Sequence, residues 1–244
     1  MLGGGGCDTS GPPGSQPPPE ALAVTAVLES YTERQRLLLT RVGATDEENL
    51  LLDDEDLVQG AQVRVGGVPF EEVPVDSIDR RARDRFDTYN YFSDSLEVEP
   101  GATYRLTVRH EGDTIRGQAT MPGSFEGNAE GLRLFWQPSE EAARYRAELT
   151  YAPPDSVKTS ADWQEAYLTT DTSVTVEPGS DFQPGRHYAE IQAVGSNVAA
   201  FRREETLRAG LDGAYGVFGA QTTIIGYVQL SRRPETEEPN LSLP

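Results

Sequence analysis

The sequence predicts an all-β protein of two sandwich units in tandem, with a short helical insertion in the second. Three observations carry this. Apolar and polar residues alternate over many short runs, which is the two-residue period of strands buried on one face. Turn residues separate the runs, with 24 glycines and 17 prolines among 244 residues, and such punctuation suits closely spaced strands. No long stretch shows the repeat of an amphipathic helix.

The clearest strand signal is Val98 to Gly123, VEPGATYRLTVRHEGDTIRGQATMPG. Pro100-Gly101 makes a turn, since proline presets φ and glycine takes positive φ without steric cost. Tyr104, Leu106 and Val108 then alternate with Arg105, Thr107 and Arg109. Glu111-Gly112-Asp113 supplies a hairpin loop, and Thr114 to Thr120 runs back. Upstream, Ala21 to Leu28 and Arg36 to Val42 read as strands, although Leu37-Leu38-Leu39 also fits a short helix. Val58 to Val65 alternates around Gly60, the mark of a bulge or bend. Val68 to Val75 carries Pro69 and Pro74 and belongs on a sheet edge. Arg80 to Asp84 fits one helical turn, and Phe86 to Phe92 reads as a strand paired with the Tyr104 strand. These elements make residues 21–123 the first unit.

Residues 124–231 make the second. Its strands are Leu132 to Trp136, Tyr145 to Tyr151, Trp163 to Thr169, Val174 to Val176, Arg186 to Val194 and Thr222 to Leu230. Val198, Phe201, Leu207 and Leu211 are spaced for a short helix before the last of these. Gly213 to Ala220, GAYGVFGA, has no lysine and no following helix, so it is not a phosphate loop. Its glycines allow a bulge or a close strand approach while Tyr215, Val217 and Phe218 pack. Residues 232–244 are polar with three prolines and read as a tail.

The charge balance narrows the function. Asp and Glu total 40 against 21 Lys and Arg, a formal net charge of −19. Such a surface repels phosphate backbones, which argues against nucleic-acid binding. Lys158 is the only lysine; adaptation to high salt and an arginine-biased genome both fit. No apolar run approaches the roughly 18 residues of a membrane span.

Residues 1–20, MLGGGGCDTSGPPGSQPPPE, cannot build a core. Cys7 is the only cysteine, so no intrachain disulfide forms. Small residues ending at a lone cysteine, then a polar linker, resemble the processing site of a bacterial lipoprotein. Cys7 then carries the lipid, and residues 8–20 space the units from the bilayer. Gly4 stands where an aliphatic residue is preferred, and neither a charged nor an apolar leader precedes Cys7, so the leader starts upstream or has been trimmed. The plainer reading is a flexible tail with an incidental cysteine.

Candidate sites are sparse. His110 and His187 lie on expected strands with no Cys, His or Asp at ligand spacing, which favours structural roles. Asp53-Asp54-Glu55-Asp56 is the densest acidic run, and Asp53, Asp54 and Asp56 are calcium candidates because that ion takes six to eight oxygens; the alternative is a solvated loop. Tyr89, Tyr91, Phe92 and Trp163 could form an aromatic platform for sugar rings, or pack in the core. Nothing singles out a carboxylate pair for glycoside hydrolysis. No cofactor is expected.

LRLFWQPSEEAARYRAEL (132–149) and PGRHYAEIQAV (184–194) resemble fibronectin type III and related immunoglobulin-like sandwiches. In the second segment Ala189, Ile191 and Ala193 share a face with His187, which puts Tyr188 on the opposite face unless a bulge intervenes. GAQVRV followed by PGATYRLTV resembles carboxypeptidase-regulatory or transthyretin-like modules. The ordered set of Cys7, VQGAQVRV, PGATYRLTVRHEG, LFWQPS and GAYGVFGA is similar to envelope lipoproteins known as domain of unknown function 4249, which occur in Bacteroidetes-like bacteria beside TonB-dependent receptors. That resemblance implies tandem transthyretin-like and immunoglobulin-like sandwiches in a non-enzymatic lipoprotein. It would be anchored to the outer membrane, periplasmic or surface-exposed, as an accessory binding or assembly module with a receptor partner. The alternatives are a surface glycan-binding protein and a carboxylate-based surface hydrolase.

Overall fold

A computed structural model describes residues 21–42, 56–78, 88–151, 164–179, 182–203 and 206–231. The first strands are β1 (Leu22–Glu29), β2 (Gln35–Arg41), β3 (Gln62–Val65), β4 (Val68–Pro69), β5 (Glu71–Glu72) and β6 (Tyr91–Ser93). A hairpin follows, β7 (Thr103–His110) and β8 (Asp113–Thr120). The middle of the chain gives β9 (Gly127–Glu130), β10 (Arg133–Trp136), β11 (Ala142–Tyr151), β12 (Gln164–Thr169) and β13 (Ser173–Thr175). The last part gives β14 (Gly185–Gly195), helix α1 (Ser196–Arg202), β15 (Arg208–Ala209), β16 (Leu211–Asp212) and β17 (Tyr215–Leu230).

Among these residues the strands form one nine-stranded sheet, ordered β12-β11-β14-β17-β1-β2-β6-β5 with β15 also on β17. Two smaller sheets face it: β16-β8-β7-β3-β4 and β13-β10-β9. The protein is therefore all-β, a pair of sandwiches, and β17 is their common strand. Its first half pairs in parallel with β1, Ala23↔Tyr215 to Glu29↔Gln221. Its second half pairs antiparallel with β14, Val194↔Gln221 to Gly185↔Leu230.

Alternation fixes which way each side chain points. Leu22, Val24, Ala26 and Leu28 of β1 share the first core with Val108, Ile115, Phe218 and Ala220. Leu230 shares the second core with Leu134, Trp136, Leu149 and Ile191, and Ile224 and Val228 pack against it. The even-numbered residues of β17 thus enter both cores, so both small sheets sit on the same side of the long one. The opposite side is the outer face, where Val217 meets Val198 and Ala199 of α1.

The structure changes two sequence assignments. Residues 208–221, placed with the second unit, complete the first: β16 pairs with β8, Leu211↔Gly117, and Phe218 lies in the first core. The aromatic run near Tyr91 pairs with β2 and β5, not with the Tyr104 strand, because β7 is occupied by β3 and β8. The expected hairpin forms with a two-residue loop, Glu111 at φ 49 and Gly112 at φ 98, the backbone twist that suits a tight hairpin. The expected helix is confined to Ser196–Arg202.

Two tyrosines anchor strands to the chain before them. Glu99 N–H donates to the Tyr104 hydroxyl at 2.7 Å, and Ser139 N–H donates to that of Tyr145 at 2.7 Å. Each bond satisfies a turn's peptide group and fixes how the strand leaves the turn.

Candidate functional site

The site begins where the β1–β2 hairpin opens. The two strands pair from Leu22↔Arg41 to Thr25↔Leu38 and no further. Beyond that, β2 pairs on its other edge with β6, Leu37↔Tyr91 and Gln35↔Ser93, while β1 stays on β17. Gln35 bridges the gap with its side chain. Glu29 N–H donates to Gln35 Oε1 at 3.0 Å, and Gln35 Nε2 donates to Glu29 C=O at 2.9 Å. The amide takes the place of a peptide group.

Peptide orientation along the hairpin then follows from strand geometry, since alternate residues turn N–H and C=O to the same edge. Val42 N–H donates to Ala21 C=O at 2.6 Å, and Gln35 holds Glu29, so odd-numbered β1 residues face β2. Val27 is one of them. On β2, Leu37 and Leu39 turn toward Asn90, so Arg36 faces β1. Val27 and Arg36 would form the next rung, and the ladder lacks it.

A cleft of about 1100 Å³ lies along this gap, lined by Thr25, Ala26, Val27, Arg36, Leu37 and Thr88 among others. Four acids and two arginines border it: Glu29, Glu33, Asp94, Glu97, Arg34 and Arg36. Arg34 is committed to Asp94 by two bonds, Nε to Oδ1 at 2.6 Å and Nη2 to Oδ2 at 2.8 Å. This fork holds the Asp94 carboxyl below its ordinary pKa and raises that of Arg34. Arg36 lies over the Tyr89 ring, 5.1 Å from its centroid. Glu29, Glu33 and Glu97 face one remaining cation, Arg36, on the rest of the border.

Tyr31 lines the cleft too and is 60% exposed. It links the cleft to a second group on the outer face. Tyr188 and Tyr227 meet edge to face with centroids 5.8 Å apart, and Arg186 lies 3.7 Å from the Tyr227 centroid. Burial, then Glu190, Tyr31, Tyr227 and Glu148, raise the Tyr188 hydroxyl's pKa. Glu148 and Glu190 are cross-strand neighbours. Arg146 Nη2 reaches a Glu148 oxygen at 2.7 Å, and Gln192 Nε2 donates to Glu190 at 2.7 Å.

The residues singled out by sequence are placed differently. Tyr91 is fully buried; its hydroxyl accepts from Ala61 N–H at 3.1 Å and donates to Val58 C=O at 3.1 Å. Burial first, and Glu72 after it, push its pKa up to about 12. It belongs to the core and offers no ring face. Tyr89 is half-buried, set edge to face with Phe92 and under Arg36. Asp56 is buried, and among the described residues no group of three or more His, Cys, Asp or Glu is placed to hold a metal. Cys7, Asp53, Asp54 and Trp163 lie outside the described residues.

His187 is fully buried, stacked on Phe182 at 5.5 Å and edge-on to Tyr151 at 5.4 Å. Its Nδ1 lies 3.1 Å from Gly185 C=O, and a carbonyl there requires Nδ1 to be the donor. Burial holds its pKa below the ordinary value, so it is a neutral core residue. His110 lies 3.6 Å from its neighbour Glu111. Tyr188 faces outward from β14, as alternation required, with no register shift against β17.

The GAYGVFGA segment packs as its glycines suggested. Gly216 has φ +97, and a Cβ there would lie 2.0 Å from Val24 C=O. A Cβ on Gly219 would lie 2.3 Å from a Val198 methyl, so this position lets α1 sit on the sheet. Sequence reasoning missed Gln35, Tyr31 and Tyr227. Only the glutamine's position in an otherwise apolar-in strand carried a signal.

No family model matches this chain, and no curated protein matches it. Among solved structures, the FN1–FN3 domains of chicken CNTN1 are similar over 89% of this chain and 67% of that one, at 13% identity and a TM-score of 0.26.

Proposed function

We propose that the chain is a non-enzymatic lipoprotein of a bacterial cell envelope. It is tethered through a lipid on Cys7 and serves as an accessory binding or assembly module beside an outer-membrane receptor. The observation that carries the reading is the long sheet: with β17 shared by both cores, it leaves a cleft beside the open β1–β2 hairpin and exposes Tyr31 and Tyr227. A rigid surface with preset groups loses little entropy on binding. The resemblance to domain of unknown function 4249 supports the address, and residues 8–20 supply the spacer.

Metabolic labelling with palmitate in the native host, followed by intact-mass analysis, tests the tether. Labelled wild type and unlabelled Cys7→Ser is the expected pair. Unmodified Cys7 in a chain that keeps Met1 overturns the lipoprotein reading. A glycan-binding role is the second reading, favoured by Tyr31 and Tyr227 at 60% and 56% exposure, because exposed rings stack on sugars. Binding on a glycan array that is lost in Tyr31→Ala/Tyr227→Ala would move the proposal to that class.

A further inference from the structure

We propose that the outward face of the small sheet in the first sandwich binds an acidic polysaccharide, a chain carrying carboxylate or sulfate groups, through Arg64, Arg105, Arg109 and Arg116. The inference goes beyond the tethered-module reading and needs neither the lipid nor a receptor.

Strand register places the four arginines around one residue. Thr107 of β7 pairs with Arg64 of β3 on one side and with Arg116 of β8 on the other. Arg105 and Arg109 lie two residues before and after it on the same strand. Alternation turns all five away from the core that Val65, Leu106, Val108 and Ile115 enter, and the four arginines are exposed. Two strand spacings separate Arg64 from Arg116, about 10 Å at the backbone, and four residues separate Arg105 from Arg109, about 13 Å. The result is a diamond of four cations on one sheet face.

This grouping runs against the composition. Acids outnumber bases 40 to 21 in the chain, yet the outward positions of β3, β7 and β8 hold no carboxylate. The nearest in register is Asp212 of β16, beside Arg116. Ion pairs between described residues use Arg34, Arg41 and Arg146 instead. Arg64 Nη1 donates to Gly67 C=O at 2.9 Å, a neutral acceptor, so its charge stays uncompensated.

The make-up of the face selects the partner. The large exposed apolar side chains, such as Tyr31, Leu168 and Tyr227, lie elsewhere. A protein partner would want an apolar or aromatic anchor, and a bilayer an apolar face to insert. There is no ring here on which unpaired bases could stack, and a five-stranded sheet is too broad for a major groove, which admits a helix or a two-stranded ribbon. The cations are spread out, which fits oxyanions repeated along a chain better than one small anion. Guanidinium forks take such oxyanions through two parallel bonds, and Gln62, Thr114 and Gln118 between them offer hydrogen bonds to sugar hydroxyls. Beyond about 8 Å physiological salt screens the protein's other charges, so the local cations set the contact.

The test is calorimetry on the full chain with polygalacturonate and dextran sulfate, compared with uncharged dextran, polyglutamate, duplex DNA and phosphatidylglycerol vesicles. The acidic polysaccharides should bind and uncharged dextran should not. Arg105→Gln/Arg109→Gln should weaken binding about 10-fold, the loss of two exposed ion pairs, and Arg64→Gln/Arg116→Gln should do the same. Arg133→Gln/Arg186→Gln, the same change of charge in the second sandwich, should leave it unaltered. A thermal melt of each variant checks that it is folded. Failure of both acidic polysaccharides to bind would overturn the proposal. So would an equal loss in the second-sandwich variant, which would mean that net charge alone acts. Tighter binding of polyglutamate, DNA or vesicles would overturn it too, and would assign the face to an acidic protein, a nucleic acid or a lipid surface. None of these results depends on Cys7, so this idea and the tether fail separately.

Discussion

Buried amides decide where several strands go. Asn90 is 1% exposed; its Oδ1 accepts from Leu39 N–H at 2.8 Å, and its Nδ2 donates to Leu39 C=O and Val58 C=O, both at 2.9 Å. One side chain thereby satisfies three peptide groups. Asn90→Asp keeps the shape but removes both donors, and should cost about 3 kcal/mol, read as a lower urea midpoint. His187 makes a different prediction. Its folded-state pKa lies below 6.5 because burial disfavours the cation, so protons bind the unfolded chain more readily. Its contribution is complete above about pH 6.5 and is lost as pH falls through the folded-state value. Relative to His187→Phe, wild type should lose urea stability between pH 7 and 5; a constant difference across that range would contradict it. The structural role of His187 was legible beforehand from its place on a strand without ligand spacing; that of Asn90 was not. An asparagine in FDTYNYF reads as a turn former or a surface residue until the strands beside it are known.

At the scale of elements, β17 is the organiser, and its first glycines mark where a neighbour comes close. Gly216 sits at φ +97 with Val24 C=O only 2.0 Å from a hypothetical Cβ. Gly216→Ala should cost about 3 kcal/mol, from strained backbone plus a clash with the parallel neighbour. Gly226→Ala, where nothing lies within 4 Å, should be near neutral. Equal thermal shifts in both variants would refute the close-approach account. The β7–β8 hairpin was legible because its turn, its alternation and its burial all agree in one local stretch. The split of the β1–β2 hairpin was not. Both strands alternate as a normal pair would, and only the competition of β6 and β17 for their outer edges separates them.

For the whole molecule, two cores share one sheet. Thr222 Oγ1 donates to Pro122 C=O at 2.5 Å, and Ser139 Oγ donates to Gly123 C=O at 2.6 Å, so the connecting segment at Pro122-Gly123 is held both to β17 and to the turn before β11. Calorimetry should therefore show a single transition with matching van't Hoff and calorimetric enthalpies. Leu39→Ala in the first core and Leu134→Ala in the second should each cost about 2–5 kcal/mol and should move that same transition. Two separable transitions would mean that β17 does not couple the cores. The net charge of −19 adds a measurement at this scale. Stability rising from dilute buffer to molar salt supports adaptation to high salt, since screening relieves repulsion among exposed carboxylates; a flat response removes that reading.

Local chemistry determined the all-β class, the strand–turn rhythm and the hairpin at Glu111-Gly112, because periodicity and turn residues each act within a few residues. Tertiary structure alone decided that residues 208–221 complete the first core, that Tyr91 is interior while Tyr31 and Tyr227 are exposed, and that a cleft opens between β1 and β2. Strand pairing joins residues as far apart as Val24 and Gly216, and alternation along a strand says which residues share a face but not which strand will lie beside it.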